Sequence, residues 1–308
     1  MPQLQINISD FFQLVGEKKE EVISFAAEKV MVSDLRYNIL TQQEKETTIT
    51  EILKSIDKNN FSVTGNKNKW ETGWNEVFTE YSKTKKIESL TAKFSSRGSK
   101  SISRLNGEYI HTYSQEFHQN LYTAFHYWAI EKYFGDATEI FDIGCGTGEN
   151  IKHLFDVYPE KKLHGLDWAQ SSVNIVNSLN KDLNINVEGH VFDIFNPDYN
   201  LSIPEGSAIY TCESLEQVGN NFHAFLNFLL NKKPKVVVHF EPILEFYNGE
   251  RLLDYLAIKY HVTRKYLNGY YTELINLQNE GKIRILHQNR IEYGGLYHDS
   301  SIIVWEIV

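Results

Sequence analysis

The chain has 308 residues, 42% hydrophobic and 23% charged, with a formal net charge of −9. That length suits one large domain, or a domain with a sizeable appendage, and the composition is that of a folding, soluble protein. The acidic balance argues against a protein whose main task is gripping nucleic acid, because phosphate contacts need a basic surface.

The N-terminus, MPQLQINISDFF, lacks the basic start and apolar stretch of a signal peptide. Apolar runs such as VVVHF and SIIVW are too short to cross a bilayer, so a cytoplasmic protein without a membrane partner is expected. From residue 1 to about 134 the pattern is helical. SDFFQLVGEKKEEVISFAAEKV and TTITEILKSID place apolar residues three and four apart. KWETGWNEVFTEYSK repeats this with Trp70, Trp74, Phe78 and Tyr81, which read as core packing. Lys83 to Arg104 holds seven basic residues and one acid, a solvated connector or a contact for an anionic substrate. FSSRGSKSISRLNGEYIHTYS lacks periodicity and reads as a loop. EFHQNLYTAFHYWAIEKYF then resumes a helix with a broad aromatic face.

After residue 138 short β-branched runs alternate with amphipathic segments. TEIFDIG, KLHGLDW, INVEGHVFDIF, SAIYTCES and KVVVHFEP read as strands, with helices between them. Such alternation implies a parallel sheet covered on both faces. A helical insertion follows at about 243–280, and KIRILHQNRIEY and SSIIVWEIV close the chain as a hairpin. The expected architecture is α/β: a doubly wound, mostly parallel seven-stranded sheet with an antiparallel last strand, plus an N-terminal helical domain. The expected division is 1–115 as a helical lid domain and 116–308 as the core.

In doubly wound sheets ligands bind at the carboxyl ends of the strands, and the first strand-to-helix turn is the usual cradle. Here that turn is Gly144-Cys145-Gly146-Thr147-Gly148. Dinucleotides use G-x-G-x-x-G with the pyrophosphate on the helix N-terminus. In this chain the third glycine arrives one position early, and Glu149 stands where a diphosphate would dock. A nucleoside without phosphate fits better, and Asp142 suits a ligand carrying an ammonium or sulfonium charge.

The stretch from Asp142 to Gly148, an acid followed by G-x-G-x-G, resembles the first motif of class I S-adenosylmethionine-dependent methyltransferases. The resemblance continues in chain order over roughly 138–242. It implies that Asp167, ending HGLDWA, binds the ribose hydroxyls, that Trp168 lies against the adenine and that Asp193 reaches the adenine amino group. It implies that Glu213 to Val218, ESLEQV, lines the cofactor and opens toward the acceptor, with Gln217 where many members carry His. S-adenosylmethionine is then the cofactor and S-adenosylhomocysteine the product, with Gly144, Cys145, Gly146 and Gly148 as the cradle.

Methyl transfer from a sulfonium mainly needs proximity and alignment. A hydroxyl acceptor gains from a base within reach, and Glu213, His239 and Glu241 are the catalytic candidates, with Glu213 alternatively holding the methionine moiety. Strand alternation puts His239 and Glu241 on one face. On the acceptor side Tyr260 and Arg264 share a helix face, where an arginine among tyrosines suits a carboxylate or phosphate, or simply pairs with Tyr260 or Asp254. Tyr109, His111 and Tyr113 are lid candidates, because the superfamily's N-terminal segment often folds over the cofactor. His111, His118 and His126 do not make a metal set, and Cys145 and Cys212 read as reduced thiols, so no metal is expected. The expected partner is a small-molecule acceptor methylated on O or N. The alternatives are methylation of RNA, a peptide or a protein, a non-catalytic S-adenosylmethionine-binding protein, or an NAD-dependent oxidoreductase, which the glycine spacing disfavours.

Overall fold

The computed structural model describes residues 3–17, 24–59, 61, 64–90 and 102–308. Local capping chemistry starts the early helices. After strand β1 (Leu4–Gln5), Asn7 and Asp10 form a capping box that opens α1 (Ile8–Leu14). Ser24 caps α2 (Phe25–Val32), which precedes β2 (Arg36–Ile39). Thr41 and Glu44 make a second capping box for α3 (Gln42–Asp57), and Asn66 caps α4 (Lys67–Thr84).

Of the segment read as a loop, residues 94–101 lie outside the described residues, and the part from 102 on forms a hairpin, β3 (Ile102–Leu105) and β4 (Glu108–Thr112). Asn106 and Gly107 turn it with φ of 49° and 76°. That pair of left-handed residues is what a two-residue hairpin turn demands. Helix α5 (Phe117–Tyr133) then leads into β5 (Glu139–Ile143), α6 (Glu149–Val157), β6 (Lys162–Asp167), α7 (Gln170–Leu183) and β7 (Val187–Val191). The chain continues through β8 (Ala208–Cys212), α8 (His223–Lys232), β9 (Val236–Glu241), α9 (Leu252–Arg264), α10 (Tyr270–Asn279), β10 (Ile283–Gly294) and β11 (Asp299–Ile307).

All the strands join one sheet in the order β1-β2-β4-β3-β10-β11-β9-β8-β5-β6-β7. It has eleven strands among the described residues, not seven, because the N-terminal segment adds four. The expectation of a helical segment before residue 115 thus matches α1–α4 and misses β1–β4. The pairs β5–β6, β6–β7, β5–β8 and β8–β9 are parallel, and β11 runs antiparallel between β9 and β10. The chain leaves β5 toward β6 and β7, then returns to β8 on the other flank of β5. The order therefore reverses at the ends of β5 and β8, where such sheets open a crevice.

Apolar side chains cover both faces. Phe125, Ile130, Leu154 and Val176 pack on one side, and Phe225, Leu229, Leu274 and Trp305 on the other. Arg104 does not lie in a solvated connector: it is buried, with its Nε 3.1 Å from Asp299 and its Nη1 donating to the Tyr297 carbonyl. Arg290 grips Asp254 through two hydrogen bonds of 2.9 and 2.6 Å and also binds Asp299. Two arginines and two aspartates balance in charge, which is what allows them inside. The rest of the basic stretch falls partly on 91–101, outside the described residues. No helix among the described residues is long and apolar enough to cross a membrane.

Candidate functional site

Gly144 begins the turn after β5 with φ of 79°, and a Cβ there would lie 2.3 Å from the Cβ of Ser214. Only glycine lets the segments after β5 and β8 come this close. The Gly144 and Cys145 amides donate to the Leu166 carbonyl at 2.7 and 3.0 Å, tying the loop to β6. Asp167, at the end of β6, completes the tie. Its Oδ2 accepts from the Gly146 amide at 3.0 Å and its Oδ1 from the Ala169 amide at 2.9 Å. Burial pushes this carboxyl up to about 6 against those two bonds. Cys145 is packing within the loop: its buried thiol lies 3.5 Å from the Ser172 hydroxyl. Gly148, at φ 76°, starts α6.

A cleft opens at these strand ends. Gly144, Asp167, Trp168, Phe192, Ile194 and Glu213 form its walls, with Ser214 and Gln217 beside them. Trp168 is half-buried and stacks on Phe195, with ring centres 5.8 Å apart and planes within 3°. The opposite side comes from α4, where Trp70 and Trp74 stack on each other at 5.3 Å. Trp74 packs over the glycine loop, close enough that a Cβ on Gly146 would lie 3.1 Å from its ring. Helix α4 is held there by Glu71, which accepts from the amide and hydroxyl of Ser171 in the first turn of α7, and by the Lys85–Asp182 pair at its other end. A carboxylate at a helix N-terminus meets the positive end of the dipole.

The cleft is acidic and aromatic. Among the described residues that line it none is Lys or Arg and two are carboxylates, while Lys67 lies outside the lining with its Nζ 5.9 Å from the Trp168 ring centre. Just behind the loop, Asp142 is fully buried; Oδ1 accepts weakly from Asn150 at 3.5 Å and Oδ2 has no hydrogen-bond partner. Burial pushes this carboxyl up to about 8. An unmatched buried carboxylate oxygen is costly without a donor or cation beside it. Glu213 opens onto the cleft from a left-handed backbone, φ 49°, rare for a residue with a Cβ. The surrounding protein raises its carboxyl, and a hydrogen bond from Tyr122 draws it partly back. Asp193 is not a wall residue. Its Oδ2 pairs with Lys67 at 2.5 Å and its Oδ1 accepts from the Phe195 amide, while its neighbours Phe192 and Ile194 face the cleft.

Two of the three catalytic candidates do not reach the cleft. His239 is wholly buried between the Thr211 hydroxyl at 2.9 Å and the Tyr270 hydroxyl at 2.7 Å, and burial pushes it down to about 3. Glu241 is also wholly buried. Its Oε1 accepts from the Ser214 and Leu215 amides, both at 3.1 Å, and its Oε2 from the Glu216 amide at 3.4 Å. Glu241 therefore positions the 3₁₀ turn Leu215–Val218 that follows Glu213. Strand alternation places the two side chains on one face and does not show that this face is filled.

The lid candidates also lie elsewhere. Tyr109 is buried in β4 and donates to the Leu296 carbonyl at 3.3 Å. Tyr113 is half exposed and accepts from the Asn38 amide group at 2.8 Å, and His111 lies 3.6 Å from Glu44. Tyr260 stacks on Tyr297 at 4.5 Å and meets Phe61 edge-on at 5.1 Å. Arg264 lies over Tyr266 at 4.7 Å, and its Nε has no hydrogen-bond partner. Asp254 is not its mate, being held by Arg290. Arg264 instead acts electrostatically on Glu216, whose Oε1 accepts from Gln217 of the cleft at 2.7 Å.

No protein-family model matches the chain, and no curated protein matches it. Among solved structures it is similar to the methyltransferase domain of bacterial CtHen1, at 15% identity and TM-score 0.45, over 60% of this chain and 98% of that one. It is similar to a SAM-dependent methyltransferase from Aquifex aeolicus at 18% identity and TM-score 0.42, over 59% and 89% of the two chains. A third is the [4+2]-cyclase SpnF, at 12% identity and TM-score 0.47, over 62% and 82%. The solved structures that resemble this chain thus include class I methyltransferases at low sequence identity.

Proposed function

We propose that the protein is an S-adenosylmethionine-dependent methyltransferase that methylates an O or N atom of a small-molecule acceptor. The observation that carries this reading is the lining of the cleft: aromatic faces and carboxylates, with no cationic side chain among the described residues that line it. Sulfonium and ammonium groups are attracted by both, whereas a diphosphate is repelled. Asp167 keeps a second lone pair on each oxygen for the ribose diol. Trp168, Phe192 and Ile194 would hold the adenine, and the ionised form of Asp142, buried behind the loop, would add negative charge beneath a bound cation.

The cofactor, when bound, supplies an activated methyl group, so the chain's own task is alignment and exclusion of water. Trp70 and Trp74 cover the cleft and keep water out. Glu213 takes the acceptor's proton or holds the cofactor's ammonium. Glu241 positions the turn behind it. Arg264 stands on the acceptor side, linked to the cleft through Glu216 and Gln217, and suits a carboxylate or phosphate on the acceptor. Burial of Arg104 shortens the basic stretch on which methylation of RNA or a peptide would depend.

The test is transfer from methyl-labelled S-adenosylmethionine to separated small-molecule, RNA and protein fractions, read by mass. Label is expected in the small-molecule fraction, at a rate that falls about 10²-fold or more in Glu213→Gln if Glu213 is the base. Label confined to RNA or protein would overturn the acceptor class. Cofactor binding with no label in any fraction would leave a binding protein in place of an enzyme.

A further inference from the structure

On the far side of β6 from α7, three side chains converge that the cleft does not use. The parallel register pairs His164 with Glu188 and Leu166 with His190. Alternation sends Glu188 and His190 to one face of β7. The glycines between them, Gly165 and Gly189, are also paired and face α7, where a Cβ on either would strike Val176 or Val173. His164 Nδ1 lies 3.2 Å from His190 Nε2 and 4.0 Å from Glu188 Oε2, and the last two atoms are 3.8 Å apart. These donor atoms are the ones within mutual reach of a single ion.

The protonation pattern is set from the other side. Glu139 Oε2 lies 2.6 Å from His164 Nε2. An ionised carboxylate can only accept, so Nε2 carries the hydrogen and the neutral ring presents a lone pair at Nδ1. Phe141, stacked on the His164 ring with centres 4.1 Å apart, fixes its plane. A carboxylate that orients a histidine toward a metal is the usual outer support of such ligands. Lys162 occupies the other oxygen of Glu188, Oε1, at 3.2 Å, and leaves Oε2 turned to the histidines. His190 and Glu188 are partly exposed, which leaves an approach for the ion and room for a water as fourth ligand.

We propose that His164, His190 and Glu188 form a binding site for a zinc ion, with Glu139 holding the proton of His164. Tetrahedral zinc with bonds of about 2.0–2.2 Å needs ligand atoms about 3.3–3.6 Å apart, so each observed separation has to change by less than about 1 Å. Two imidazoles with one carboxylate favour zinc over the hard cations magnesium and calcium. The ion pins β7, which among the described residues is an edge strand bonded only to β6, to its neighbour. His164 precedes Asp167 by three residues, about 10 Å along the strand, so the site is separate from the cleft and independent of the methyl-donor reading.

The test uses the full, untagged chain, stripped with a chelator and titrated with zinc alone. One tight site per chain is expected, and cobalt substituted for zinc gives the intense visible bands of a tetrahedral centre. His190→Ala, at a partly exposed position, keeps the fold and weakens zinc binding at least about 100-fold. Glu139→Gln leaves all three ligands and weakens it about 10- to 100-fold. Zinc also raises the thermal midpoint of the unaltered chain and not that of His190→Ala. Equal zinc affinity in the unaltered chain and His190→Ala, or cobalt bound without tetrahedral bands, overturns the assignment.

Discussion

The two sides of the cleft are built differently. Its wall comes from strand ends, where Gly144, Asp167 and Glu213 hold their places through backbone hydrogen bonds and left-handed angles. Its cover comes from one helix, α4, held by Glu71 on Ser171, a surface ion pair and the packing of Trp74. The wall is fixed by backbone contacts, whereas the cover is fixed by side chains of α4, with Trp74, Val77 and Tyr81 buried in the core beneath it.

Substitutions can break that division. The largest effect is expected from Trp74→Ala. Truncating a largely buried indole costs about 3–5 kcal/mol of stability, and loss of the cover exposes the cleft. Thermal denaturation and cofactor titration together separate the two effects. An unchanged midpoint with unchanged binding would show that α4 is no cover. Next is Asp167→Ala, which removes the diol contact and orphans the Gly146 and Ala169 amides. Cofactor binding should weaken by about 3 kcal/mol or more, at about 1.5–3 kcal/mol per charged hydrogen bond. A comparable Trp74→Phe variant should bind nearly as well as the parent, which sharpens the contrast between wall and cover.

Asp142 gives a pH signature. Its folded value, about 8, lies above its ordinary value of 3.8. The folded state thus binds more protons than the unfolded one across that window. Its contribution to stability falls as pH rises from about 4 to about 8 and is level above. A bound cation favours the ionised form, so cofactor binding near pH 7 should release up to one proton. Calorimetry in buffers of different ionisation enthalpy reads this release, and Asp142→Asn should abolish it. A release that survives in Asp142→Asn would remove Asp142 from the site. The smallest effect is expected from Lys67→Ala. Its pair with Asp193 is largely exposed, so stability should change by less than about 1 kcal/mol. A large loss of cofactor affinity would instead make Lys67 part of the wall.

The same contrast decides what could be read from the residues alone. Strand ends are legible, because a β-branched run followed by glycine marks both the strand and the turn, and the acids at Asp142 and Asp167 stand at fixed offsets from it. Trp70 and Trp74 carried a signal, two indoles four apart on a helix, but core packing leaves the same pattern. Glu241 and His239 were misplaced because alternation gives a face and says nothing of what fills it; the amides of Ser214, Leu215 and Glu216 do. The β3–β4 hairpin is hard to read because Asn106-Gly107, the dipeptide that turns it, recurs as Asn248-Gly249 and Asn268-Gly269, which precede helices instead. The pairing of His164 with His190 depends on which strands become neighbours, which their separation of 26 residues does not disclose.

The most direct measurement is calorimetric titration of the purified protein with S-adenosylmethionine, S-adenosylhomocysteine and NAD, repeated on Asp167→Ala. Tight binding of both adenosyl ligands, its loss in the variant and no binding of NAD are expected. Binding of NAD, or adenosyl binding that Asp167→Ala leaves intact, would show that the cleft is not a methyl-donor site.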